Sequence, residues 1–128
     1  MDPVTHFEIP VDDMERAQTF YNEAFGWTSL APEGMEGEYE MAMTSDTAGD
    51  MRPSERGRID GAFYRRERSD EGTMVTIGVD SIDDAVKRVV AAGGEIVIEP
   101  HKVRDLGFYA RFRDSEGNIV SLWESAEE

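Results

Sequence analysis

Two side chains near the start of the chain, His6 and Glu8, have the chemistry to move protons or to bind a metal ion. They lie in the segment VTHFEIPV, where polar and apolar residues alternate as in a half-buried β-strand. Residues two apart on a strand point to the same side, so His6 and Glu8 share one face. A carboxylate in apolar surroundings holds its proton more tightly and can act as a general base.

These two residues are therefore the predicted catalytic pair. A structural role is an equally good interpretation of His6, because a single histidine commonly hydrogen-bonds a neighbouring carboxylate or a main-chain carbonyl. The elements around the pair help to separate the two interpretations, since they determine which other side chains can reach it.

The sequence around His6 recurs further along the chain. The segments THFEIPVDDMERA and TMVTIGVDSIDDA align without a gap, 68 positions apart, so that Val11 matches Val79. Each segment predicts a strand followed by a helix, because alternation of apolar residues gives way to helical spacing. The chain therefore contains two copies of one structural unit.

Short motifs predict where the two helices begin and end. An acidic residue followed three positions later by another has the spacing of a capping box, in which a side chain accepts a main-chain N–H of the first turn. The predicted boxes are Asp12 with Glu15 and Asp80 with Asp83. Gly26 and Gly94, which the repeat aligns, are predicted to end the helices.

Three shorter strands are predicted after each helix, at 27–30, 39–44 and 59–65 and again at 95–99, 108–113 and 119–124. The turn DSEGN joins the last two strands as a tight hairpin. The polar segment 45–58 is predicted to be a surface loop. Apolar residues that alternate with the polar ones on these strands, such as Phe63, Val75 and Leu122, are expected to pack beneath the helices.

The predicted fold class is α+β, with two tandem βαβββ modules whose strands form a cupped mixed sheet. Module one spans about residues 1–66 and module two about 73–125, within a single domain that covers 1–128. A chain of this length can bury a hydrophobic core without disulfides, and it contains no cysteine. The N-terminal residues do not have the pattern of a signal peptide, so a cytoplasmic protein is expected.

The net charge is unusually negative, with 28 acidic against 13 basic residues, giving −15. Only two of the basic residues are lysines. Such self-repulsion opposes compactness in dilute salt, whereas molar salt shortens the Debye length to roughly 3 Å. We therefore expect a salt-adapted, halophilic protein, and we expect neither nucleic acid nor an anionic membrane as a partner.

The paired modules, with HFEIPVDDMERAQTFYNEAFGW in the first and FRDSEGNIVSLWE in the second, resemble the vicinal oxygen chelate superfamily. That group includes glyoxalase I, bleomycin-resistance proteins and extradiol dioxygenases. The resemblance covers nearly the whole chain and implies a glyoxalase-like fold and a homodimer. It is weaker for the reaction, because this fold hosts isomerases, dioxygenases, epimerases and ligand-sequestering proteins.

The resemblance also implies a divalent metal held at four strand positions, two in each module. Those positions contain His6, Ala62, Met74 and Ser121. A catalytic zinc site needs about three protein ligands, and a non-haem iron site needs two histidines and a carboxylate. The sequence therefore predicts a vestige of the metal site. The other histidine, His101, is expected in an edge strand or a loop.

In place of the metal, the cupped sheet is expected to bind a small apolar or aromatic molecule. The predicted ligand-binding residues are His6, Glu8, Tyr64, Met74, Arg111, Ser121 and Trp123. Tyr109 joins them, and Arg111 is suited to pair with a carboxylate.

Two other functions stay open. One is a glyoxalase-like lyase or isomerase, or a dioxygenase, that uses a divalent metal at His6. The other is a protein whose dimer surface matters and whose cup has lost its role.

Overall fold

The structure is a computed structural model and describes residues 1–45 and 57–126. The chain forms two compact units. The N-terminal unit comprises His6–Thr73, and the C-terminal unit comprises Met74–Glu128 together with Met1–Thr5. The surface loop predicted over 45–58 lies almost wholly outside the described residues. Within the described ranges, no helix is long and apolar enough to cross a membrane.

The N-terminal unit follows the predicted order of a strand, a helix and three strands. Its elements are β1 (Val4–Val11, which begins in the C-terminal unit), α1 (Met14–Phe25), β2 (Thr28–Leu30), β3 (Tyr39–Met43) and β4 (Gly61–Arg65). The strand order is β2-β3-β4-β1, with β1 parallel to β4 and the other neighbours antiparallel. Helix α1 covers one side of this sheet, and the buried core between them contains Val11, Met14, Ala42 and Phe63.

The C-terminal unit repeats this arrangement. Its elements are β5 (Met74–Gly78), α2 (Ile82–Ala91), β6 (Glu95–Val103), β7 (Gly107–Arg113) and β8 (Ile119–Ser125). The strand order is β5-β8-β7-β6, and β5 is parallel to β8. The buried core under α2 contains Val79, Ile82, Ala85, Ala110, Phe112 and Leu122. The α+β class and the two βαβββ modules predicted from the sequence are thus confirmed.

Val75 departs from the predicted core. It alternates with polar residues on β5, yet 42% of its surface is exposed. Its strand neighbour Ile77, by contrast, packs against the buried cluster under α2. The alternation therefore predicted the core side of the strand correctly for Ile77. Val75 lies on the same side but remains exposed, because helix α2 does not cover the beginning of β5.

The two units share the register of their parallel strand pairs. Glu8 on β1 lies opposite Ala62 on β4, and Thr76 on β5 lies opposite Ser121 on β8. Glu8 and Thr76 are matched by the 68-residue repeat. Ala62 and Ser121 therefore occupy equivalent positions, although the segments that precede them differ in length.

Both helices start one residue later than the predicted capping boxes. The N-cap of α1 is Asp13, whose carboxylate accepts the N–H of Arg16 at 3.0 Å. The N-cap of α2 is Ser81, whose hydroxyl accepts the N–H of Asp84 at 3.2 Å. The shift is the same in both copies, so the two caps remain equivalent.

The predicted boxes at Asp12 and Asp80 are therefore wrong. In the first copy the Asp12 carboxylate has a different partner, the guanidinium of Arg66, whose Nε lies 3.0 Å away. In both copies the residue after this aspartate, Asp13 or Ser81, adopts the extended conformation that an N-cap requires.

The helix ends agree with the prediction in the first copy only. Gly26 follows α1 in the left-handed conformation, with φ of 80°. After α2, Gly93 rather than Gly94 takes the left-handed conformation, with φ of 102°. Gly94 donates its N–H to the carbonyl of Val89 at 2.8 Å, which completes a Schellman motif. A Cβ on Gly94 would lie 2.7 Å from the Val89 side chain, so both glycines are needed.

The DSEGN hairpin forms as predicted between β7 and β8. The Asp114 carboxylate accepts the N–H groups of Asn118 and Glu116, each at 2.8 Å. These main-chain hydrogen bonds, that of Asn118 first, hold the pKa of the Asp114 carboxyl below its ordinary value. Gly117 supplies the positive φ that closes the turn.

The corrected cap can be tested on the second helix. Replacing Ser81 by alanine removes the side-chain acceptor for the N–H of Asp84, so we expect the free energy of unfolding to fall by about 1 kcal/mol. Asp80→Ala is the matched control and should cost less than half as much. Urea unfolding followed by circular dichroism measures both, and an Asp80→Ala loss equal to that of Ser81→Ala would restore the capping box.

Candidate functional site

The side of the N-terminal sheet turned away from α1 carries the first group of candidate residues. Strand register places them together, because Glu8 lies opposite Ala62, which lies opposite Met41 on the next strand. In the same way Tyr64 lies between Pro10 and Tyr39. We call this surface the polar face of the N-terminal unit, and its chemically active members are His6, Glu8, Tyr39 and Tyr64.

Burial is the main feature of this polar face. Only 3% of Glu8 is exposed, and Tyr64 is also buried. His6 and Tyr39 are partly buried. The structure thus brings together His6, Glu8 and Tyr64 of the predicted ligand-binding set.

Tyr39 is the member that sequence reasoning missed. Alternation along β3 places Tyr39 on the same side of the strand as Met41. Only the pairing of β3 with β4 shows that this side is the polar face. No residue type in its neighbourhood signals a special role.

The electrostatics of this face follow from its burial. Loss of hydration lowers the pKa of His6 to about 4, so its imidazole is neutral near pH 7. Burial, and then the charge of Glu8, raise the pKa of Tyr39, so its phenol keeps its proton. The face therefore offers a neutral imidazole, a phenolic O–H donor and a buried carboxylate.

The equivalent face of the C-terminal unit holds the remaining predicted residues. Pairing of β5 with β8 and of β8 with β7 places them on one side, opposite α2. They are Met74, Ser121, Trp123, Arg111 and Tyr109. The Nε of Arg111 donates to the Tyr109 hydroxyl at 2.6 Å. The Tyr109 ring also meets His101 edge-on, with ring centres 5.9 Å apart.

His101 lies on β6, which extends to Val103 rather than ending at 99 as predicted. Because β6 is the terminal strand in the order of the C-terminal unit, His101 has the edge position that the sequence suggested. Its Nδ1 lies 3.1 Å from the carbonyl oxygen of Glu99. The register of β6 with β7 shifts on either side of Ile98, which marks an irregular strand.

Comparison with known proteins identifies the family. Residues 4–122 match the Glyoxalase/Bleomycin resistance protein/Dioxygenase superfamily, and the chain belongs to it. The chain is 32% identical to a glyoxylase-like domain-containing protein of Didymella fabae, over 93% of the chain and 91% of that protein. It is 29% identical to the anthracycline biosynthesis protein DnrV of Streptomyces peucetius, over 91% of the chain but only 45% of DnrV.

Solved structures support the fold. Methylmalonyl-CoA epimerase of Streptomyces coelicolor superposes with a TM-score of 0.66 over 97% of both chains, at 18% identity. That degree of identity shows a shared fold and says nothing about a shared reaction.

Divalent metal ions are common in this superfamily, and a glyoxalase of this fold has been solved with bound Mn(II). The four positions that the resemblance assigns to metal ligands do not fit such an ion. Ala62 is fully buried and has no donor atom, and Met74 offers only a thioether. The Ser121 hydroxyl lies 2.6 Å from the hydroxyl of Thr76, its hydrogen-bond partner. His6 is left as the one good ligand of the four.

The rest of the described chain agrees with this donor count. Within residues 1–45 and 57–126, no group of three or more histidine, aspartate or glutamate side chains is placed to hold a metal ion.

The burial of His6 predicts a pH effect on stability. Well above pH 6.5 the imidazole is neutral whether the chain is folded or unfolded. Between pH 6.5 and about 4 the unfolded chain binds the proton first, so the free energy of unfolding falls as the pH is lowered. The full loss is roughly 3 kcal/mol.

Urea unfolding at several pH values between 7 and 4 measures this loss. His6→Gln should have a shallower pH dependence than the wild type, and His101→Gln, which changes an exposed histidine, should not. An unchanged slope in His6→Gln would contradict the burial argument.

Proposed function

We propose that this protein binds a small, largely apolar or aromatic organic molecule, without the divalent ion that many superfamily members use. The observation that carries the proposal is the donor set at the four metal positions. One of them is a methyl group, one a thioether, and one a hydroxyl already hydrogen-bonded to Thr76. A metal-dependent reaction at these positions would need ligands that the chain does not supply.

The side chains of both polar faces suit an organic ligand. On the N-terminal unit, the phenols of Tyr39 and Tyr64 lie on the same face of the sheet as the carboxylate of Glu8. On the C-terminal unit, Tyr109 on β7 and Trp123 on β8 lie directly opposite each other on adjacent strands. Sites for small organic ligands combine apolar and aromatic surface with a few polar groups that set orientation. The naming of DnrV for anthracycline biosynthesis is consistent with an aromatic ligand class.

Metal addition tests the first half of the proposal. After treatment with EDTA and dialysis into about 1 M KCl, which screens the surface charge, we expect Mn²⁺, Zn²⁺, Ni²⁺ and Fe²⁺ to leave the melting temperature unchanged. A site occupied at a hundred times its Kd would instead add about 2.7 kcal/mol to the free energy of unfolding. A rise with one metal that His6→Gln removes would support the alternative of a metal-dependent lyase, isomerase or dioxygenase.

Ligand addition tests the second half. We use anthraquinone-2-carboxylate as a planar aromatic probe and follow quenching of tryptophan fluorescence in the presence of EDTA. Saturable binding with one site per chain is the expected result. Absence of saturable binding by this probe and by its neutral carboxamide would count against an aromatic ligand.

Proton transfer by Glu8 is a second candidate function, favoured by the burial of this carboxylate beside Tyr39. A buried carboxylate can serve as a base without a metal ion. We would follow exchange of the acidic carbon-bound proton of methylmalonyl-CoA in D₂O by NMR. Exchange that Glu8→Gln abolishes would favour this enzyme over a binding protein.

We also propose that the protein is a cytoplasmic homodimer adapted to high salt. Light scattering after gel filtration tests the dimer. The salt adaptation predicts that the melting temperature rises from dilute buffer to about 1 M KCl, because the net charge of −15 is then screened.

A further inference from the structure

The outer edge of the N-terminal sheet is short and carries no charge. Strand β2 (Thr28–Leu30) is the terminal strand in the order β2-β3-β4-β1, and all three of its residues are exposed. Within residues 1–45 and 57–126, β3 is the one strand that pairs with it. The main-chain N–H and C=O groups that point away from β3 are therefore placed to pair with a further strand.

The terminal strands of the two units differ in how they are protected against such pairing. Proteins commonly block an edge strand with a charged residue, a proline or a bulge. Strand β6 has all three, because it contains Pro100 and the exposed Lys102, and its register with β7 shifts on either side of Ile98. Strand β2 consists of threonine, serine and leucine and pairs regularly with β3, so it has none of these blocks.

Exposed aromatic side chains lie on the helix that precedes β2. Phe20 is 58% exposed and Phe25 is 66% exposed. The Phe20 ring centre lies 5.1 Å from that of Tyr21, and the Phe25 ring centre lies 6.2 Å from that of Trp27. Helix α1 contacts β2, and Trp27 directly precedes this strand, so the aromatic series leads to the sheet edge. We call Phe20, Phe25 and Thr28–Leu30 the β2 edge surface.

This part of the chain is also poor in charge. Charged residues make up 32% of the sequence, but residues 20–31 contain only Glu23. Two copies that each carry a net charge of −15 repel each other, so a contact between them needs a surface with few carboxylates. A cationic partner protein would instead gain most from the acid-rich surface elsewhere. The β2 edge surface therefore fits a second copy of this chain better than a basic partner.

We infer that two copies of the chain form a dimer through the β2 edge surface, with their β2 strands paired antiparallel about a twofold axis at Ser29. This inference rests on the proposed homodimer and names the surface that forms it. The pairing sets Ser29 opposite its own copy and Leu30 opposite Thr28 on the neighbouring copy. An axis perpendicular to the sheet keeps both α1 helices on the same side, where Phe20 and Phe25 become covered.

The size of a stable interface explains why the helix belongs to the contact. Specific interfaces bury roughly 800 Å² on each partner, which is more than a strand of three residues supplies. The exposed phenylalanines of α1 add the apolar area that the strand lacks.

Substitutions that place a charge on this surface test the inference. Sedimentation equilibrium in about 1 M KCl, which screens the net charge, measures the dissociation constant of the dimer. We expect Leu30→Lys and Phe20→Glu each to raise it at least about tenfold, because each buries a charge in the contact. Leu106→Lys and Val90→Glu are the matched controls, since Leu106 and Val90 are exposed to a similar extent but lie in the C-terminal unit. Both should keep the wild-type dissociation constant.

A single cysteine tests the strand register. The chain has no cysteine, so Ser29→Cys introduces one thiol per copy. Directly opposite residues of an antiparallel pair have Cα atoms about 4.5–5.5 Å apart, which a disulfide can span. We expect diamide, which takes up the two protons and two electrons of the thiols, to convert Ser29→Cys into a covalent dimer. Ser115→Cys, which changes an exposed serine of the DSEGN turn, should stay monomeric on a non-reducing gel.

The outcomes distinguish the dimer from the surface that forms it. A wild-type chain that is monomeric up to about 100 µM would overturn both the homodimer and this inference. A dimer that Leu30→Lys and Phe20→Glu leave at wild-type strength, or that the two control substitutions weaken equally, would overturn the inference alone. A Ser29→Cys chain that forms no covalent dimer, or forms it no faster than Ser115→Cys, would do the same. Circular dichroism identifies a charged variant that fails to fold, and the cross-linking result then decides.

Discussion

The parallel pairing of the first and last strand in each unit is the constraint on which the candidate site depends. Side chains alternate along a strand, so a shift of one residue in this pairing would exchange the polar face for the core. The pairing of Glu8 with Ala62 and of Thr76 with Ser121 fixes that choice twice, at equivalent positions. Apolar residues under α1 and α2 hold the register, because a slipped strand would turn Phe63 or Leu122 towards solvent.

The two copies have resolved the same buried position differently. In the C-terminal unit, Thr76 and Ser121 are both fully buried and satisfy each other with one hydrogen bond. In the N-terminal unit the equivalents are the Glu8 carboxylate and the methyl group of Ala62, so the interaction that Glu8 makes is with a group other than the Ala62 side chain. Buried titratable groups of this kind are concentrated at functional sites. This contrast is the physical reason for placing any proton chemistry in the N-terminal unit.

Sequence reasoning predicted the elements well wherever a local physical rule decides them. Alternation and helical spacing found the strands and both helices, and the DSEGN turn follows from its aspartate and glycine. The exact cap residue was predicted less well. Asp13 and Ser81 cap the helices in place of Asp12 and Asp80, and Asp12 instead pairs with Arg66, which is 54 residues away in sequence and outside the reach of any local rule. Tyr39 was missed for a similar reason, since its side of the sheet is set by pairing with β4.

At the metal positions, the residue types could be predicted from the sequence, but their surroundings could not. Matching the segment AFY with SLW aligns Ala62 with Ser121 although the preceding segments differ in length, and the shared register places both residues at the same point of their units. The sequence alone showed that these two positions carry a methyl group and a hydroxyl rather than metal ligands. The burial of Glu8 and the contact between Arg111 and Tyr109 could not be predicted, because both depend on strands that are distant in sequence.

Because residues 1–5 belong to the C-terminal unit, the two repeats cannot be separated by a single cut in the chain. The main-chain carbonyl of Pro3 accepts the N–H of Gly78 at 2.9 Å, and Thr5 packs where a side chain on Gly78 would otherwise lie. A fragment that begins at Met74 would lack these five residues and the hydrogen bond between Gly78 and Pro3. A fragment meant to fold alone would have to carry residues 1–5 by circular permutation or receive them as a separate peptide.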